Sequence, residues 1–255
     1  MILAMTDLSK PLPLGLNRRN WPYFAVAFVA LIAFLAPLDH LVSESLQAWP
    51  QPYAGVFAGL TGLGLSEWVL VPSLALFIIF GAMSLALRER PQKLAARQMA
   101  GLWAFVFAGV ALPGLATNIL KRIIGRARPV VFDENGPLAF HNFTADWQFQ
   151  SFPSGHSTTI FAFAFVVGFL WPRLFWPAIV LALAVGVSRV VVGMHYPTDV
   201  LGGMVMGTLG AYAVRYFFAR RRWVFTIAEN GAIAPRRLMA IRRVAGLPPP
   251  QRLPR

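Results

Sequence analysis

Trp68-Val-Leu-Val-Pro-Ser-Leu-Ala-Leu-Phe-Ile-Ile-Phe-Gly-Ala-Met-Ser-Leu-Ala-Leu87 contains no charged side chain. A helix of about 20 apolar residues is about 30 Å long, the thickness of a bilayer's hydrocarbon core. Gln98–Leu120 is a second uncharged stretch of that kind. Pro72 and Pro113 lie inside these runs, where membrane helices tolerate them. Two such segments predict a membrane protein, and the composition agrees. The 255 residues are 57% hydrophobic and 13% charged, with a mean hydropathy of +0.59. A soluble domain carries about 25% charged residues. Intrinsic disorder is excluded by the same numbers.

Outward from this pair, Tyr23–Leu38 reads as a first span. It is longer than the apolar core of a secretory signal and has no clear cleavage site, so it is expected to be retained. Ser157–Pro172, Leu174–Val187 and Val200–Val214 are apolar but slightly short, and reach across only if polar end residues join their helices. Tyr53–Leu65, short and Gly-rich, reads as interfacial or re-entrant. The expected fold class is therefore all-α, a polytopic bundle of six transmembrane helices. Residues 1–22 form a cytoplasmic N-terminal segment, 23–219 the membrane domain, and 220–255 a basic, Pro-rich cytoplasmic tail.

The net charge is +13, with 23 basic residues against 10 acidic ones. Lysines and arginines concentrate on cytoplasmic loops. Lys10, Arg18 and Arg19, then Arg88, Arg90, Lys93 and Arg97, then Arg173, and finally ten arginines from Arg215 to Arg255 all fall on one face of a six-span layout. That places both termini in the cytoplasm. The first outer connection carries Asp39, Glu44 and Glu67 and no cation. Residues 121–156 break the pattern, because Lys121, Arg122, Arg126 and Arg128 must lie outside. Cations on the wrong face need a local reason, and a bound anion supplies one. The arginine-rich tail has no aromatic interleaving, so it reads as a topology anchor on anionic lipid and no nucleic-acid partner is expected. With no cysteine, thiolate catalysis and disulfides are excluded.

Three clusters carry chemistry. In Lys121-Arg-Ile-Ile-Gly-Arg-Ala-Arg-Pro129, Lys121 and Arg128 are seven apart, nearly on one helical stripe. In Pro153-Ser-Gly-His156, Ser154 is a good helix cap, Gly155 lets a ligand approach the backbone, and His156 enters the first turn. A helix N-terminus is a ready anion site. In Ser188-Arg189…His195-Tyr-Pro-Thr-Asp199, Pro197 suits the first turn of the last helix, so Asp199 lies close to His195. A carboxylate holding one imidazole nitrogen leaves the other free as nucleophile or base. All three clusters fall at the outer ends of spans, which together describe a site for a phosphate dianion.

These residues match K-x6-R-P, P-S-G-H and S-R-x5-H-x3-D at every defining position, and the chain therefore resembles the type-2 phosphatidic acid phosphatase family of the lipid phosphatase and haloperoxidase superfamily. The resemblance implies a lipid phosphatase with its site at the periplasmic or extracellular face of the inner (plasma) membrane. It implies His195 as nucleophile forming a phosphohistidine, Asp199 as its orienting partner and His156 as general acid. Lys121, Arg128, Arg189, the Ser154 hydroxyl and the Gly155 N–H would hold the phosphoryl oxygens. No metal or other cofactor is expected, since the motifs contain a single carboxylate, already committed to His195. Asp133, Glu134 and Asp146 of the outer loop are the remaining acids to consider for a cation, and His40 and His141 read as surface residues. The aromatic loop from Val130 to Phe152 reads as lying over the site, and Gly203 with Gly207 as a helix-packing step. A lipid phosphotransferase of the same family stays open. A transporter is disfavoured because the charges gather at one face without internal repeats, and a haloperoxidase because those relatives are soluble. The lipid itself (phosphatidate, phosphatidylglycerol phosphate, a polyprenyl diphosphate or lipid A 1-phosphate) is open.

Overall fold

The computed structural model describes residues 7–50, 52–132, 136, 138–236 and 244. Its described helices are α1 Trp21–Leu35, α2 Asp39–Gln47, α3 Tyr53–Leu60, α4 Glu67–Ala86, α5 Arg90–Ile124, α6 Gly155–Leu170, α7 Phe175–Val191 and α8 Pro197–Arg220. A hairpin of β1 Phe225–Ile227 and β2 Ile233–Pro235 follows, with Thr226 opposite Ala234.

Four continuous helical stretches are long and apolar enough to cross a bilayer: Trp21–Gln47, Tyr53–Ala86, Arg90–Ile124 and Pro172–Val191. α6 has 16 residues, about 24 Å at 1.5 Å per residue. It is short because it is the inner helix. Ten of its residues are buried, and it packs against α5, α7 and α8. α8 has 24 residues but carries Asp199, Arg215 and Arg220, which lower its apolar character. α1 is the opposite case, with no buried residue. Tyr23 and Phe34 are each 75% exposed, a surface that suits hydrocarbon.

Residues 53–65 depart from the interfacial reading. α3 and the tight turn Thr61–Gly64 run on into α4, and they pack against α6 and α7. Part of the tail packs on the bundle. Phe225 and Ile233 of the hairpin are buried, and the Phe225 ring meets Phe105 edge-on at 4.7 Å. This closes the end of the core built from Phe105, Val110, Val166, Phe169, Tyr212 and Phe218. Arg215, 1% exposed, lies over the Phe169 ring at 4.0 Å and donates to the carbonyls of Leu8 and Lys10. Leu8–Lys10 and the hairpin are thus joined at this end of the core, with Ile233 N–H donating to Ser9 O at 2.6 Å. Pro248, Pro249, Pro250 and Pro254, singled out as the Pro-rich end, lie outside the described residues.

The Gly203–Gly207 step is a close crossing of α6 and α8. A Cβ on Gly203 would sit 2.4 Å from Ser154 O and one on Gly207 2.4 Å from Thr158 O. Both obstacles are backbone, which cannot swing away. Gly203→Ala is therefore expected to cost about 1–3 kcal/mol, the range for overpacking, and to cut turnover by pushing Ser154 away from α8. Gly81→Ala, where nothing lies within 4 Å, is the matched control and should be neutral or stabilising. Thermal unfolding in detergent with parallel rate measurements checks this; equal behaviour of the two variants would contradict it.

Candidate active site

α5 ends at Gly125, whose φ of +66° suits a residue without Cβ. A Cβ there would also strike His141 O at 1.9 Å. The chain then leaves the helix as a pinned segment. Ala127 N–H donates to Ala139 O, Arg128 N–H to Gln148 O, and Ser151 N–H to Arg126 O, at 2.8–3.0 Å. Ser154 caps α6 as its sequence suggests, accepting from Ser157 N–H at 3.4 Å. Its own N–H donates to Asp199 O at 2.9 Å, which ties the α6 entrance to α8. His195 is tethered differently: its N–H and that of Met194 both donate to Arg189 O at 3.1 Å. Asp199, in the first turn of α8, accepts from Tyr196 N–H at 2.8 Å.

The three sequence clusters converge at one end of the bundle. His156 is faced by the charges of Arg189, Arg128 and Lys121 and by His195. Lys121 Nζ lies 3.9 Å from where a Gly155 Cβ would stand, so the ammonium sits against the α6 N-terminus. His195 Nδ1 lies 3.5 Å from Asp199 Oδ2. That is within ion-pair range but too long for a hydrogen bond. Such contacts in unliganded sites tighten when substrate binds.

The cations are poorly matched at rest. Arg128 reaches Met194 Sδ at 3.6 Å and Gln150 O at 3.4 Å, and lies 5.4 Å from the Trp147 ring centroid. Arg189, 7% exposed, donates to Thr61 Oγ1 at 2.5 Å. The Nε atoms of both are buried without a partner. Among the described residues neither has a carboxylate within 4.0 Å. Buried charge without a counter-ion is costly, so this end of the bundle suits an anion.

Arg126 is different, and here the sequence reading needs correction. It does not wait for an anion. Its Nη1 donates to Asp199 Oδ1 at 2.8 Å and its Nη2 to Asp39 Oδ2 at 2.8 Å. Asp199 is therefore not reserved for His195; Arg126 and Ser151, whose hydroxyl donates to Oδ2 at 2.5 Å, share it. Asp39 was visible as a lone acid closing the first apolar run, a position that invites a functional reading, yet it passed as a loop charge. Thr61 and Gly64 carried no signal. A Cβ on Gly64 would meet His156 Cβ at 2.7 Å, so this turn backs the histidine. His141 is exposed, as read, whereas His40 is half-buried and stacked on Phe132 at 3.5 Å. Asp146 caps a turn through Gln148 N–H; Asp133 and Glu134 lie outside the described residues. No group of three acids or histidines suited to a metal occurs among the described residues.

Burial pushes the His195 imidazole down to about 4; Asp199 opposes this, while Arg128 and Arg189 add to it. A nucleophile must be neutral, and a lowered value keeps it neutral down to that pH. The acid limb of kcat/KM that belongs to His195 is expected well below the ordinary 6.5, once the substrate's own ionisation is divided out. A pH–rate profile whose acid limb, assigned to the enzyme, lies at 6.5 or above would contradict this.

The sequence pattern that defines the PAP2 superfamily matches residues 101–223. A lipid A 1-phosphatase of Rhizobium johnstonii is 38% identical, over 88% of this chain and 91% of its own. Phosphatidylglycerophosphatase B of Bacillus subtilis is 30% identical, over 70% of this chain and 82% of its own. A crystal structure described as the first transmembrane PAP2 type phosphatidylglycerolphosphate phosphatase, from Bacillus subtilis, overlays with a TM-score of 0.48 at 27% identity, covering 76% of this chain and 96% of that one.

Proposed function

The chain belongs to the PAP2 superfamily, and from that premise we propose that it is a membrane lipid phosphatase hydrolysing a phosphomonoester or diphosphate through a phosphohistidine. The observation that carries this is the meeting of His195, backed by Asp199, with Lys121, Arg128 and Arg189 around His156. Because Nδ1 faces Asp199, Nε2 is the nitrogen that attacks phosphorus. Burial and the charges of Arg189, Arg128 and Lys121 hold His156 neutral in the free site, so it takes up a proton as the phosphate dianion binds. It then protonates the leaving lipid oxygen as the P–O bond breaks, and takes a proton from the water that cleaves the N–P bond. Charge in phosphoryl transfer spreads over three equatorial oxygens, so positioned donors supply most of the acceleration. Lys121, Arg128, Arg189, the Ser154 hydroxyl and the Gly155 N–H fill that role. The chemistry uses no metal.

In this reading the membrane domain, 23–219, has six spans, with both termini in the cytoplasm and the site at the outer face of the inner membrane. The asymmetry of lysine and arginine supports this orientation. The relatives named lipid A 1-phosphatase, one matched over 91% of its length, support the 1-phosphate of lipid A as the first substrate to try. The test is phosphate release by purified protein from lipid A, polyprenyl diphosphate, phosphatidylglycerol phosphate and phosphatidate, with EDTA present throughout. The fastest release is expected from lipid A; release from none of them would overturn the reading, and activity only on addition of a divalent cation would overturn its metal-free form.

A further inference from the structure

We infer that Asp39, contributed by the start of α2, is a positioning residue of the reaction and acts on His195 through Arg126 and Asp199. The inference rests on the phosphohistidine reading above.

Asp39 is 1% exposed, Arg126 4% and Asp199 fully buried. Arg126 bridges the two carboxylates with a 2.8 Å contact to each. A second route joins them as well: Thr198 N–H donates to Asp39 Oδ1 at 3.0 Å, its hydroxyl contacts Asp39 Oδ2, and Arg126 Nη1 donates to that hydroxyl at 2.7 Å. Arg126 also lies over the Tyr196 ring at 4.5 Å. Asp39 thus grips the residue before Asp199 and, through Arg126, the carboxylate of Asp199 itself.

The charge count gives this geometry its meaning. With His195 neutral, Arg126, Asp39 and Asp199, the charged members of the cluster among the described residues, carry a single negative charge in excess. When Nε2 bonds to phosphorus while Nδ1 keeps its proton, the ring gains one positive charge and the cluster becomes neutral. Without Asp39, Arg126 alone would cancel Asp199, and the imidazolium would form beside a cluster with no charge to offer it. Arg126 fixes where the Asp199 carboxylate sits; Asp39 keeps that carboxylate electrically effective. A purely architectural tie would need the hydrogen bonds but not the charge.

The charge can be removed while the shape is kept. Asp39→Asn is expected to lower kcat by about 10–100-fold, the scale known for the partners that orient metal-bound histidines, with KM little changed. Adding Arg126→Gln removes the cation that then cancels Asp199 but keeps an N–H donor. The double variant should recover roughly 3-fold or more in kcat, a coupling of the size seen between contacting residues. A double variant no faster than Asp39→Asn, or a single variant that loses KM and thermal stability in step with kcat, would overturn the inference. If Asp39→Asn does not fold, the double variant, which keeps the single excess negative charge of the wild-type cluster, is measured against wild type. Folded protein with unchanged KM and substantial turnover is then expected, and folded but inactive protein would overturn it. Wild type and His195→Ala are run alongside. A wild type without phosphatase activity defeats the functional reading, whereas an active wild type with an indifferent Asp39→Asn defeats this inference alone.

Discussion

His195→Ala is expected to remove turnover by on the order of 10⁴–10⁶-fold, the scale at which enzymes lose a nucleophile, while leaving the bundle folded. The imidazole is 2% exposed, so a vacancy of its size would cost stability. The backbone bonds from Met194 and His195 to Arg189 O do not involve the ring and survive the change. The cationic surround also survives, so phosphate binding should persist when chemistry does not. The measurement is a single turnover with labelled substrate followed by denaturation. Wild type should yield an acid-labile, base-stable phosphoprotein and the variant none. A variant that keeps near wild-type turnover, or labels equally, would remove the covalent mechanism.

His156→Ala should cost less, about 10²–10⁴-fold, the usual worth of a general acid, and the loss should depend on the leaving group. A lipid alkoxide is a poor leaving group and needs the proton; a nitrophenolate does not. His156 lies in the first turn of α6, against the Gly64 turn and facing three cations. Lys121, Arg128 and Arg189 stay in place to hold the phosphoryl oxygens, so KM should not worsen. The check is a comparison of kcat for the lipid and for nitrophenyl phosphate in the same variant. Equal losses on both would show that His156 does not protonate the leaving oxygen.

The two histidines, their cationic neighbours and the Gly203–Gly207 crossing were all legible because each is a local signal. A cap, a glycine step or a fixed spacing on one helix is encoded within a few residues. What escaped was every contact that joins distant segments. Asp39 is 87 residues from Arg126, and Thr61 is 128 from Arg189. Nothing in a run of residues 53–65 tells that it will back His156 rather than lie at the interface. Arg126 was grouped with the anion-binding cations because its neighbours in the chain are such cations, yet its partners in space are carboxylates.

The chain by itself determined the class and where the candidate site lies. Apolar runs of bilayer length leave helices as the structure that satisfies the backbone in hydrocarbon, and the three motifs at the ends of those runs mark the end of the bundle where the cations and histidines meet. Only the tertiary structure decided which charges are spent and which are available. Arg126 and Arg128 are two residues apart and chemically alike; the first is consumed by Asp39 and Asp199, while the second faces His156 with neutral partners. The physical reason is that a buried guanidinium takes its role from the nearest opposite charge, and the packing of α2 beside the start of α8 decides where that charge is.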